Sequence, residues 1–107
     1  MNIQDKIAIV TGSSKGIGLE TCKMLLEQGV KVAGWSRSVT NINHPNFINI
    51  LVDVQTFEAV EKAYNETKAH FGGEVAILVN NAGLGWDGYL ENYEIEKWKI
   101  MYATNVD

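Results

Sequence analysis

The chain has 107 residues, 46% of them hydrophobic and 21% charged, a composition that excludes a disordered or fibrous chain and fits one folded core. Thirteen acidic side chains against nine basic ones give a net charge of -4, which excludes the overall basic footprint that nonspecific nucleic-acid binding requires. No apolar run approaches the roughly 20 residues that cross a bilayer, and the opening MNIQDK has none of the features of a secretory signal, so the expectation is a cytoplasmic protein with no membrane partner.

Residues 7–10, IAIV, form a continuous β-prone run that stops at turn residues and read as a short, fully buried strand. The turn TGSSKGIG, residues 11–18, follows at once. From about residue 16 to residue 28, Ile17, Thr21, Met24 and Leu25 recur at helical spacing, and Gly29 stands where a helix would end. Cys22, the one cysteine, falls in this helix, has no partner for an intrachain disulfide, and reads as a packing residue. Residues 30–35 are the second strand and residues 47–52 the third. Between them SRSVTNINHPN, with the one proline, Pro45, reads as a loop and not a helix.

Thr56 then caps a helix whose apolar stripe is Val60, Ala63, Tyr64, Thr67 and Phe71, with Gly72 and Gly73 ending it. Residues 75–79 are the fourth strand, and NNAGLGWDGYLENYE, from Asn80, is a glycine-rich aromatic loop. A last helix is expected to begin near Glu94, with Ile95, Trp98, Met101, Tyr102 and Val106 on one face. His44 and His70 read as surface residues of a loop and a helix end. No metal-ligand spacing, internal repeat or domain linker is visible.

Strands alternating with helices predict parallel pairing through right-handed crossovers and a sheet of order 3-2-1-4, an α/β fold. That order places the carboxyl end of strand 1 at the switch point where such sheets bind ligands. A backbone that leaves a strand and starts a helix there aims free N–H groups and the positive end of a helix dipole at one spot, which suits a phosphate. Gly12 would allow the tight turn with positive φ, Gly16 would let a pyrophosphate approach without a Cβ in the way, and Gly18 would let the helix pack closely. Ser13 and Ser14 can donate hydroxyl hydrogen bonds or cap the helix. The spacing G-x-x-x-G-x-G departs from the strict G-x-G-x-x-G pattern, and Lys15 precedes Gly16, so it is not a P-loop and phosphoryl transfer is disfavoured. Taken alone, the stretch also admits an ordinary strand-to-helix turn with solvated serines.

TGSSKGIG, the LVDV around Asp53, and VNNAG ending at Gly83 together resemble the short-chain dehydrogenase/reductase family, in order and separation and over essentially the whole chain. The resemblance implies a Rossmann-type doubly wound parallel sheet binding NAD or NADP, of which this chain would be the dinucleotide-binding part. It implies a cofactor site at Gly12, Ser13, Ser14, Lys15, Gly16, Ile17 and Gly18. Asp53 would contact the adenine with Val54 beside it, and Asn80, Asn81, Ala82 and Gly83 would support the central strand and border the cofactor. On the residues alone, Asp53 also admits a role capping the turn into the next helix, and the two asparagines can tie neighbouring loops together.

The dinucleotide rule expects an acidic residue at the end of strand 2 to hold the adenine-ribose 2′-hydroxyl. Ser36 stands there, followed by Arg37. A carboxylate would repel a 2′-phosphate, whereas Ser36 can hydrogen-bond to it and Arg37 can pair with it. Lys15 supplies a second cation, a pattern the family associates with NADP, so NADP(H) is expected over NAD(H). The alternative is that both cations are solvated surface charges.

Hydride transfer to a carbonyl needs an acid for the developing alkoxide and a group that tunes that acid. The resemblance supplies a tyrosine, a lysine four residues later, a serine and an asparagine. Asn105 matches the asparagine; the other three have no counterpart here. Tyr64 and Lys68 share the Y-x-x-x-K spacing but precede NNAG, and read as a core residue and a solvated one. Trp86, Asp87 and Tyr89 either border a substrate pocket or pack. The expectation is the cofactor-binding portion of an oxidoreductase acting on a small-molecule ketone or secondary alcohol, inactive by itself and working as a homo-oligomer. Strand 4 lacks an outer neighbour and one sheet face rests mainly on the first helix, so apolar surface has to be covered by further chain or by association. The alternative is a noncatalytic dinucleotide-binding module or a subunit completed by a partner.

Overall fold

The computed structural model of the chain describes residues 3–53, 56–81 and 99–101. In chain order these form β1 (Ile7–Thr11), α1 (Gly16–Glu27), β2 (Lys31–Ser36), β3 (Phe47–Leu51), α2 (Phe57–Phe71), β4 (Val75–Val79) and β5 (Lys99–Met101). All the strand pairs are parallel, in the order β3-β2-β1-β4-β5. The expected 3-2-1-4 order is therefore present, with one more strand beyond β4.

β1 is buried at all five positions because both of its faces are covered, as expected of a parallel strand between helices. Alternation along it feeds two cores. Ile7 and Ile9 join Trp35, Val60, Tyr64 and Leu78 on the α2 face. Ala8 and Val10 join Cys22, Leu25, Val32 and Val79 on the α1 face, where Ile3, Ile42 and Phe47 pack at the margin. The α1 face is thus closed partly by the loop between β2 and β3, residues 37–46, which forms neither helix nor strand, as its asparagines and Pro45 predict.

Both helices stop at glycines. Gly29, at φ 81°, gives its N–H to Leu26 O at 3.0 Å while Val30 N–H reaches Leu25 O at 3.1 Å, a Schellman closure of α1. Gly72, at φ 71°, closes α2 through Lys68 O at 2.8 Å. Thr56 starts α2, its Oγ1 accepting from Ala59 N at 3.1 Å.

Two expectations are corrected. The buried stripe of α1 is Gly18, Cys22, Leu25 and Leu26 rather than Ile17, Thr21, Met24 and Leu25, and Met24 is 45% exposed. Gly18 is the point of closest approach, so the helix is rolled to place that side against the sheet. Second, Met101 belongs to a strand and not to a last helix. Ile77, Leu78 and Val79 pair with Lys99, Ile100 and Met101, which supplies hydrogen-bond partners to an edge that β4 would otherwise expose. Ile95, Trp98, Tyr102 and Val106 lie outside the described residues. Among the described residues no helix is long and apolar enough to cross a membrane.

Candidate dinucleotide site

The carboxyl ends of β1, β2 and β4 meet where the glycine turn begins. Gly12 N–H donates to Trp35 O at 2.8 Å, which pins the turn to the end of β2, and Asn81 Nδ2 donates to Gly12 O at 3.3 Å from the end of β4. Thr11 Oγ1 donates towards Asn80 Oδ1, 3.3 Å, and Val79 O, 3.4 Å, inside the fold. The two asparagines therefore join the end of β4 to the glycine turn.

Gly12 and Gly16 have φ of 65° and 63°, conformations that side-chain-bearing residues adopt at a cost. At Gly16 a Cβ would enter open space, and at Gly18 it would overlap Gly12 O and crowd Asn81 Nδ2. The reasons for the three glycines thus differ: two backbone conformations and one close approach. Lys15 is the N-cap of α1 and its side chain makes no cap bond, so it leaves the first N–H groups of the helix without a side-chain acceptor of its own. Neither serine caps the helix. Ser14 is half-buried, whereas Ser13 is fully buried with its Oγ 2.7 Å from Thr40 Oγ1. Ile17 is half-buried in the first turn of α1.

This donor set fits a dinucleotide phosphate. The helix start has N–H groups that the N-cap side chain does not bond, a glycine whose added Cβ would meet no neighbour among the described residues, and a lysine beside it. Arg37 is exposed directly after β2, and neither it nor Lys15 has an ion-pair partner among the described residues. Ser36 is buried and its hydroxyl donates to Ser38 O, so a 2′-phosphate here would pair with Arg37 rather than with that hydroxyl. Asp53 is exposed two residues past β3 and borders a cleft of about 440 Å³, with Ile50, Leu51, Val52, Thr56 and Ala59 among its walls. Val54, Ala82, Gly83, Trp86, Asp87, Tyr89 and Asn105 lie outside the described residues. Tyr64 is buried, with the Lys68 ammonium 5.3 Å from its ring centre and 3.4 Å from Glu74, an arrangement of packing and surface charge. Burial pushes the Cys22 thiol up to about 12. Among the described residues no group of three His, Cys, Asp or Glu side chains could hold a metal ion.

Sequence reasoning passed over Gly34, Thr40 and Asn49. A Cβ at Gly34 would lie 2.6 Å from Ser13 Oγ and 2.8 Å from Phe47 Cζ, so this glycine makes room for the turn to lie on β2. A glycine inside a strand was the available signal.

A profile of the short chain dehydrogenase family matches residues 6–107. An uncharacterized oxidoreductase of Schizosaccharomyces pombe is 36% identical over 90% of this chain and 36% of its own length. The 3-oxoacyl-acyl-carrier-protein reductase FabG of Escherichia coli is 35% identical over 99% of this chain and 46% of its own length. The chain thus spans less than half the length of these two relatives. Among solved structures, a short chain dehydrogenase from Leptospira borgpetersenii with bound NAD+ is similar over 78% of this chain and 33% of its own, with a TM-score of 0.68 at 22% identity, a likeness of fold. With its parallel sheet, its glycine turn at the switch point and this matched span, the chain belongs to the short chain dehydrogenase family of NAD(P)-dependent oxidoreductases.

Proposed function

We propose that this chain is the NADP(H)-binding portion of an oxidoreductase that moves a hydride between a nicotinamide cofactor and a ketone or secondary alcohol, its serine, tyrosine and lysine acid-base residues lying in sequence other than these 107 residues. The observation that carries the cofactor choice is Arg37: an exposed guanidinium with no ion-pair partner among the described residues, directly after β2, where a carboxylate would favour NAD. Lys15, at the start of α1, adds positive charge on the same edge of the sheet. The ketone class is supported by the family and by the FabG relative, whose name denotes reduction of a 3-oxo group. When bound, the nicotinamide ring supplies or accepts the hydride. The described residues anchor and orient: the first turn of α1 takes the pyrophosphate, Arg37 and Lys15 the 2′-phosphate, Asp53 the adenine, and Asn80 and Asn81 hold the glycine turn to β4. Asn105 serves the acid-base residues. On this reading the working protein is a cytoplasmic homo-oligomer, and the exposed Val39 and Leu51 are apolar surface that association would cover.

Replacing Arg37 tests the cofactor choice. A charge-assisted contact is worth about 1.5 to 3 kcal/mol, so Arg37→Ala should weaken NADPH binding by about ten- to one-hundred-fold and NADH binding far less. Equal losses for both cofactors would contradict the assignment. NADPH-dependent reduction of a ketone by the natural protein separates the enzyme from a noncatalytic binding module.

A further inference from the structure

The segment that carries Arg37 has no helix to hold it. Among the described residues no hydrogen bond between backbone groups links residues 37–41 to a strand or to the glycine turn. Side chains do so instead. Thr40 N–H donates to Asn49 Oδ1 at 2.8 Å, and Asn49 Nδ2 donates to Gly34 O at 2.8 Å and to Ser36 Oγ at 3.1 Å. With one donor facing its oxygen and two acceptors facing its nitrogen, the Asn49 amide has a single workable orientation.

The hydroxyls can be assigned in the same way. Each has one hydrogen. Ser36 gives its own to Ser38 O. The Thr40 to Ser36 contact, 3.2 Å, must then use the hydrogen of Thr40, and the Ser13 to Thr40 contact, 2.7 Å, must use that of Ser13. The order of donation therefore runs one way, from Ser13 in the glycine turn to Thr40, to Ser36 at the end of β2, and on to the carbonyl of Ser38 on the far side of Arg37. Ser13, Thr40 and Ser36 are all buried, so water does not compete for these bonds.

We infer that Ser13, Thr40, Ser36 and Asn49 form a one-way hydrogen-bonded relay that fixes the Arg37 turn against the glycine turn, and that Thr40 is thereby a positioning residue for discrimination between dinucleotides with and without a 2′-phosphate. The inference deepens the NADP(H) reading and rests on it. Arg37 is flanked by Ser36 and Ser38, the last donor and the last acceptor of the relay, so the backbone of this flexible side chain is held on both sides. Ser13, whose hydrogen is spent inward, is not a hydroxyl donor to a phosphate; Ser14, Lys15 and the helix N–H groups remain for that.

The test compares Thr40→Val, Thr40→Ser and Arg37→Ala in the natural protein, with thermal unfolding as a check that each is folded. Affinities are measured for NADPH and NADH, and for adenosine 2′,5′-bisphosphate and AMP, which report the adenosine end without any turnover. Thr40→Val should reduce the preference for the 2′-phosphorylated member of each pair by about three- to ten-fold, the span carried by one or two neutral hydrogen bonds, and Thr40→Ser should retain it. A folded Thr40→Val protein that keeps the parent preference, while Arg37→Ala loses it, would overturn the relay and leave the NADP(H) reading standing. A preference untouched by Arg37→Ala would overturn that reading and the relay with it. If Thr40→Val does not fold, Asn49→Ala breaks the same relay from β3 and is held to the same two outcomes.

Discussion

Gly12 and Gly16 supply a left-handed backbone and Gly18 a close approach within seven residues, and substitution separates the two needs. At Gly18 an added methyl would run into the backbone carbonyl of Gly12, which cannot move without unseating the turn from β2. Gly18→Ala is expected to cost about 3 kcal/mol, the upper end for overpacking, read as a lower thermal unfolding temperature. Gly16→Ala meets no neighbour but strains a φ of 63°, so its cost is nearer 1 kcal/mol, and the methyl also intrudes where a phosphate would sit. Cys22 behaves oppositely to a reactive thiol: it is fully buried on the α1 face and its pKa is raised by burial to about 12 from 9.0. Between those two values the native state holds a proton that the unfolded chain has lost, so this residue's contribution to stability falls as pH rises through that window. An alkylating reagent at pH 8 should leave Cys22 unmodified in the folded protein and modify it after denaturation; rapid native labelling would contradict the packing role.

Elements were legible wherever local chemistry and periodicity agreed. In α2 the Thr56 cap, the stripe from Val60 to Phe71 and the left-handed Gly72 all stand where the sequence puts them. Thr56→Ala should therefore remove about 1 kcal/mol of stability. In α1 periodicity alone chose the wrong stripe, because the roll of that helix is set by a contact between Gly18 and Gly12 that no spacing reveals. The strand at Lys99–Met101 was misread for a related reason: Met101 fits the helical spacing of Ile95 and Trp98 as well as a short strand, and the open edge of β4 decides between them. Gly34 links two elements through the space it leaves. Gly34→Ala should displace Ser13 Oγ and Phe47 and lower stability by roughly 1 to 3 kcal/mol, a loss that equilibrium denaturation can measure.

For the molecule as a whole, the sheet order and the position of the glycine turn followed from the alternation of strands and helices, because parallel strands demand crossovers and crossovers fix the switch point. The Thr40 to Ser13 contact was not legible, since it joins side chains 27 positions apart across a loop without regular structure. The cofactor choice sits between these cases. Ser36 and Arg37 were both visible in sequence, yet only the fold separates them, by burying the serine hydroxyl and leaving the guanidinium exposed. The central claim is that this exposed charge selects the 2′-phosphorylated cofactor, and titration calorimetry of the natural protein with NADPH and with NADH tests it most directly. Binding of NADPH about ten- to one-hundred-fold tighter than NADH is the predicted result, the worth of one charge-assisted pair; equal affinities, or tighter binding of NADH, would contradict it.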